Sequence, residues 1–269
     1  MMADAEEFGE RAPMKDLEID VRGQKLKLKE DGSGEPVLFL HGAGGSSWNP
    51  MLKLLAEHHR VIAPEHPGFG RSATPDWMMS VGDLAMFYLD MLEVMGLKRV
   101  HLAGHSLGGW TAAEIAIRNT SRLASLTLLS PAGCRSEAPF GDIFLWDAET
   151  ATRAQFFDQK LAEERIKLLP QADLDVQLQN KATVARLAWN PRLHNPQLPH
   201  WLHRIDVPTL LLWGRDDKIV PFACHAAFKA EIKGAKLVAL PETCHALHTE
   251  RAKECNAAIS AHIKEANRE

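Results

Sequence analysis

Four cysteines stand in 269 residues, and they neither pair nor cluster. Cys134, Cys224, Cys244 and Cys255 form no C-x-x-C unit and no zinc-type spacing, which speaks against a zinc ribbon and a disulfide framework. No apolar run reaches the roughly 18 residues of a membrane-spanning helix. The first 13 residues are polar and acidic, without a basic segment leading into an apolar one. That stretch lacks the make-up of a secretory signal and reads as a tail. Basic charge is not concentrated either. Lys and Arg number 31 against 35 Asp and Glu, a net charge of −4, so a nucleic-acid surface is not expected. Internal repeats, low-complexity tracts, a dinucleotide fingerprint and a metal-ligand cluster are all lacking. The 13 histidines are scattered, and His58, His59, His194, His200 and His203 read as surface or cap residues and not as ligands. These absences lead us to expect a reduced, cytoplasmic protein with no cofactor and no metal. Its expected partner is a small-molecule substrate, with no nucleic acid and no membrane; oligomeric state is unknown from the sequence.

What is present is an ordinary globular composition, with 45% hydrophobic and 25% charged residues. A chain of this length buries roughly 75% of its unfolded surface without staples. Alternation from Leu17 to Lys29 predicts an edge hairpin turning at Gly23 or at Asp31-Gly32. Continuous apolar runs at 37–40, 60–63, 100–103, 123–129, 207–213 and 236–240 predict strands buried on both faces. Between them the periodicity predicts helices at 48–58, 81–95, 107–118, 222–232 and 251–267, with Gly96 as a C′ residue. From about 134 to 200 the rhythm changes to helical patterns alone, at 151–169 and 174–189, before prolines 191, 196 and 199. Strand–helix alternation predicts a mostly parallel α/β sheet flanked by helices. Residues 1–133 and 201–269 make the core, and 134–200 read as an inserted helical cap over the carboxyl edge of the strands, where such sheets carry their sites.

The chemistry begins at Gly104-His105-Ser106-Leu107-Gly108. This G-x-S-x-G pattern follows a buried strand and opens a helix, which exposes a serine hydroxyl at the top of a sheet. Without that context it also describes a capping serine on a glycine-rich turn. A serine hydroxyl needs a base to take its proton. The strand at 207–213 ends in two acids, Asp216 and Asp217, and the next strand is followed by His245. The chain order serine, acid, histidine suits a nucleophile elbow of this kind.

With His41-Gly42, Pro67-Gly68-Phe69-Gly70-Arg71-Ser72, the elbow, the Trp-Gly-x-x-Asp segment at Asp217 and the late His245, the sequence resembles the α/β-hydrolase superfamily over nearly all its length. The resemblance implies the α/β-hydrolase fold with a helical cap and a catalytic triad of Ser106, Asp217 and His245. Asp217 fits the family spacing, with Asp216 its rival by one residue. His248, three residues after the base, reads as a capping or packing residue. The oxyanion hole is expected from the backbone N–H groups of Leu107 and Ala43. Glu65 stands where relatives commonly have Asp, which alters a local hydrogen bond.

Gly42, Gly44, His105, Trp146 and Arg186 are the expected substrate-binding residues, with Arg186 suited to a carboxylate. Phe140, Phe144, Trp146, Phe156, Phe157, Trp189 and the trio Trp77, Met78 and Met79 supply apolar bulk. Most of it is expected to pack, with a few side chains lining an acyl pocket. The favoured function is a serine hydrolase of small or medium apolar esters, lactones or related acyl compounds. The alternative is hydrolysis of a carbon–carbon bond in a meta ring-cleavage product. That branch often has Asn and Trp where this chain has His105 and Ala246. A ligand-binding protein on the same scaffold is the third reading. The serine at the elbow argues against dehalogenase and epoxide-hydrolase chemistry, which need an acid there.

Overall fold

Apolar runs bounded by turn residues become strands, and the computed structural model, which describes residues 14–268, contains eight of them. They are β1 (Lys15–Val21), β2 (Gln24–Asp31), β3 (Pro36–Leu40), β4 (Arg60–Pro64), β5 (Val100–His105), β6 (Leu123–Leu129), β7 (Thr209–Gly214) and β8 (Lys236–Leu240). The acidic stretch read as a tail lies outside the described residues. The sheet order is β1-β2-β4-β3-β5-β6-β7-β8. Only β2 runs against the rest, pairing antiparallel with β1 and β4. The remaining pairs are parallel. The hairpin turns at Arg22-Gly23, both with positive φ (51° and 82°), which suits the right-handed twist of a two-residue turn.

Ten helices flank the sheet or span its edge: α1 (Pro50–Leu55), α2 (Val81–Val94), α3 (Leu107–Arg118), α4 (Ala148–Gln155), α5 (Gln159–Leu168), α6 (Leu174–Ala188), α7 (Leu198–Trp201), α8 (His225–Glu231), α9 (Leu247–Glu250) and α10 (Ala252–Ala266). Alternate strand residues face opposite layers. Leu38, Leu40, Leu102 and Leu128 pack with α2, α3 and α8, while Val37, Phe39, Ala103 and Leu129 pack with α1, α9 and α10. Each such leucine contributes roughly 2 kcal/mol by leaving water.

Local chemistry sets the helix limits. Ser80 and Asp83 cap α2 reciprocally: Asp83 N–H donates to Ser80 Oγ (3.1 Å), and that hydroxyl donates to the Asp83 carboxylate (2.8 Å). Gly96 ends it with φ 65°. Helix α1 is shorter than the periodicity predicts, because Asn49 accepts from Leu52 N–H and fixes Pro50 as the first turn. The predicted helix at 151–169 is two helices. Phe156 is extended (φ −120°, ψ 137°), and Asp158 accepts from Lys160 N–H to cap a fresh start. The helix predicted at 251–267 is α10, and the short α9 precedes it across Arg251.

The chain between β6 and β7 holds α4–α7 and no strand. It leaves and returns at one place. Gly133 N–H donates to Leu193 O (3.2 Å), and Asn195 N–H donates back to Gly133 O (2.9 Å). Its helix α6 rests on the 66–72 loop, where Thr183 Oγ1 donates to Gly68 O (2.6 Å) and Gly70 N–H donates to Asn180 Oδ1 (2.9 Å). No helix of the described residues is long and apolar enough to cross a membrane.

Candidate active site

Strand order reverses around β3, whose neighbours are β4 and β5. The helix after β3 lies on one face of the sheet and the helix after β5 on the other, so a crevice opens between their connecting turns. Ser106 stands there, between β5 and α3, with φ 55° and ψ −116°. L residues rarely adopt that backbone, and it persists only where neighbours over-determine it. They do so here. Ser106 N–H donates to Leu129 O (2.9 Å), and Ser106 O accepts from Trp110 and Ala132 N–H (2.9 and 3.0 Å). A Cβ on Gly104 would lie 2.2 Å from Gly108 O, and one on Gly108 would lie 2.1 Å from Leu40 O. Both glycines of the motif are therefore required by backbone closeness.

Asp217 and His245 come from the ends of β7 and β8. Asp217 is 7% exposed; its Oδ1 accepts from Ile219 and Val220 N–H, both at 2.9 Å. Its Oδ2 accepts from His245 Nδ1 at 2.8 Å. That bond assigns the His245 proton to Nδ1 and leaves Nε2 as the basic nitrogen. The rival Asp216 is exposed and lines a separate groove with Arg153 and Phe157.

Ser106 and His245 line one cavity of about 970 Å³, together with Gly42, Ala43, Gly44 and His105. Leu107 is the first residue of α3, so its N–H has no intrahelical acceptor. His105 Nε2 donates to His245 O (2.8 Å), and its ring lies 4.6 Å from that of His245 and 4.4 Å from that of His248. Burial, then the neighbouring His248 and His245, hold His105 well below the ordinary imidazole range. Burial, then His245 and Arg165, push His248 down to about 3. His248 packs on His105, and its Nδ1 is buried without a hydrogen-bond partner among the described residues.

The Gly42–Gly45 turn is braced from below by a buried chain that no sequence pattern announces. His66 N–H donates to His41 Nε2 (2.9 Å), so His41 carries its proton on Nδ1 and donates to Gly42 O (2.7 Å). His66 Nε2 donates to His41 O (2.8 Å), leaving Nδ1 to accept from the hydroxyl of Tyr88 on α2 (2.6 Å). Tyr88 is the sole tyrosine of the sequence. Burial pushes His41 down to about 4 and His66 well below its ordinary value, so both rings stay neutral and keep the acceptors the chain needs.

The helical segment supplies the opposite wall. Phe144, Phe156 and Trp189 line the cavity as part of the expected apolar bulk. Two expected substrate-binding residues do not. Trp146 packs against Gly141 beside Ile219, and Arg186 donates to Pro75 O (3.2 Å), tying α6 to the 75 loop. Phe140 instead lies beneath the Arg135 guanidinium. Sequence reasoning missed Trp48, Gln155, Arg165 and Asn180, which line the cavity without any spacing that marks them. The Glu65 carboxylate accepts from Arg71 N–H (2.9 Å).

Comparison with known proteins bears on the whole assembly. The alpha/beta hydrolase family model matches residues 37–258. The chain is 30% identical to the dihydrolipoyllysine-residue acetyltransferase component of the acetoin cleaving system of Pseudomonas putida, over 94% of this chain and 70% of that one. It is 26% identical to the 2-hydroxy-6-oxo-6-(2'-aminophenyl)hexa-2,4-dienoic acid hydrolase of Metapseudomonas resinovorans, over 82% of each. Among solved structures it is similar to a meta-cleavage product hydrolase from Pseudomonas fluorescens IP01, with a TM-score of 0.82 at 21% identity, covering 93% of this chain and 98% of that one. At that identity the likeness speaks for the fold.

Proposed function

The chain belongs to the alpha/beta hydrolase family, and from that premise we propose that it cleaves small or medium apolar esters, lactones or related acyl compounds through an acyl-enzyme. The observation that carries this reading is the Asp217–His245 pair at 2.8 Å, opening on the cavity that the strained Ser106 lines. Ser106 is the nucleophile, and His245 Nε2 takes its proton as Oγ attacks the substrate carbonyl. Asp217 holds the tautomer and balances the imidazolium. The N–H groups of Leu107 and Ala43 receive the negative charge that develops on the carbonyl oxygen. His245 returns the proton to the leaving oxygen, then activates water to release the acid and restore the hydroxyl. The segment 134–200 acts as the cap, and its Phe144, Phe156 and Trp189 supply an apolar wall for the acyl group.

A second reading, hydrolysis of a carbon–carbon bond in a ring-cleavage product, draws on the name of the Metapseudomonas relative. Against it, Arg186, the residue suited to a substrate carboxylate, is engaged by Pro75 O and is not among the cavity-lining residues. Steady-state and burst kinetics on nitrophenyl esters of graded chain length, beside a dienone-type ring-cleavage product, separate the two. Ester turnover with a burst, falling about 10⁴-fold or more in Ser106→Ala, is the expected result. Turnover of the dienone alone favours the second reading, and full ester turnover by Ser106→Ala rejects the serine mechanism.

A further inference from the structure

His245 is held from three directions. Two come from the sheet: Asp217 at its ring and His105 at its carbonyl. The third comes from the helical segment, through the residues on either side of it. Ala246 N–H donates to Gln155 O at the end of α4 (2.8 Å). The Glu250 side chain, one turn later on α9, grips both parties. Its Oε2 accepts from Cys244 N–H (2.8 Å), the peptide just before His245. Its Oε1 accepts from Phe157 N–H (2.7 Å) and Asp158 N–H (3.0 Å), at the corner between α4 and α5. Ala246 is buried with Phe156 and Ala162 in a small apolar cluster separate from the two that flank the sheet.

We propose that Glu250 is a positioning residue that latches the α4–α5 corner onto the loop carrying His245, so that the roof of the cavity helps to set where the base stands. This inference rests on the serine-hydrolase reading for its catalytic consequence. The chemistry selects a carboxylate. Three N–H donors from two segments converge, and an ionised carboxylate accepts on both oxygens and donates nothing. An amide in its place has one accepting oxygen and turns an NH₂ donor toward the other segment. Gln155, Phe156 and Leu161, at the same corner, also line the cavity, so an acyl group lodged there bears on the peptides that carry the base. Small displacements of a base matter, because a shift of about 1 Å can cost about 10²-fold in rate.

The test compares wild type, Ser106→Ala, Glu250→Gln and Glu250→Ala on nitrophenyl acetate and nitrophenyl hexanoate, with amide hydrogen exchange on the same proteins. Expected for Glu250→Gln is a kcat about tenfold lower or more, with KM moving less than about threefold. Exchange protection at Cys244, Phe157 and Asp158 should fall together while β5 and β6 stay protected. A helix cap without a catalytic role would leave kcat alone. A kcat within twofold of wild type, or loss of protection on the α5 side only, overturns the proposal. Should Glu250→Ala fail to fold, Glu250→Gln and its exchange pattern decide. Wild type without a Ser106-dependent burst would instead sink the hydrolase mechanism, and the exchange result would still report on the latch.

Discussion

Every residue of β5, β6 and β7 is buried, whereas α5 buries only Ala162 and α4 only Thr152 and Ala154. The two regions meet at one cavity and face it with different kinds of order. On the sheet side, positions are fixed by backbone against backbone, as at Gly104, Gly108 and the strained Ser106. On the helical side, positions are fixed by a few polar ties: Thr183 to Gly68, Asn180 to Gly70, Glu250 to the α4–α5 corner. The chemistry thus stands where neighbours leave no alternative. The helical wall of the cavity stands where neighbours leave some, as expected for elements whose stability lies at the low end.

Acid should strike the sheet side hardest. His41, His66, His105 and His248 are all held below the ordinary imidazole value, chiefly by burial. In the unfolded chain they titrate near pH 6.5, so falling pH loads the unfolded state with protons first. Their contribution is intact above about pH 6.5 and is lost as pH falls from there toward the folded values near 4 and 3. Each loses about 1.4 kcal/mol per pH unit, so the four together remove on the order of 5 kcal/mol by pH 5.5. Urea midpoints at pH 7.5 and 5.5 measure this, and equal midpoints would contradict it.

Gly108→Ala comes next. The new Cβ meets Leu40 O at 2.1 Å and His41 O at 2.5 Å, neither of which is a flexible chain end. A loss of roughly 3 kcal/mol in urea unfolding is expected. Tyr88→Phe is milder. It leaves the buried His66 Nδ1 without its donor, at a cost of about 1–2 kcal/mol. It also loosens the Gly42–Gly45 turn, so kcat for ester hydrolysis should fall about tenfold. A wild-type kcat in Tyr88→Phe would show that the turn is braced by other contacts. Smallest of all are Leu174→Ser and Leu178→Gln on α6, where the leucines are 66% and 56% exposed. Each should shift stability by less than about 0.5 kcal/mol. A larger change would erase the contrast between the two regions.

The same contrast explains what the sequence discloses. The elbow is legible because its demands are local: a buried strand, two glycines that backbone must approach, and a helix start. Asp217 and His245 are legible because strand ends place them. The break at Phe156–Asp158 is not, since apolar spacing runs through it and only the Asp158 cap marks the new start. Trp146 and Arg186 have the right chemistry for a pocket, but on a helical wall tertiary ties decide which side chains face inward, and Pro75 O claims the guanidinium. The Tyr88–His66–His41 chain joins residues that share no periodicity and meet only when α2 packs beneath the turn.

The isolated bridge of Gly133 with the 193–195 segment has one more consequence. The two ends of the intervening sixty-odd positions sit side by side, so the stretch is a loop in the geometric sense however many helices it holds. Closing such a loop costs free energy that grows only slowly with its length. The segment can therefore be lengthened, shortened or replaced while the sheet beneath keeps its register, which makes this junction a natural splice point for grafting a different set of helices onto the same sheet.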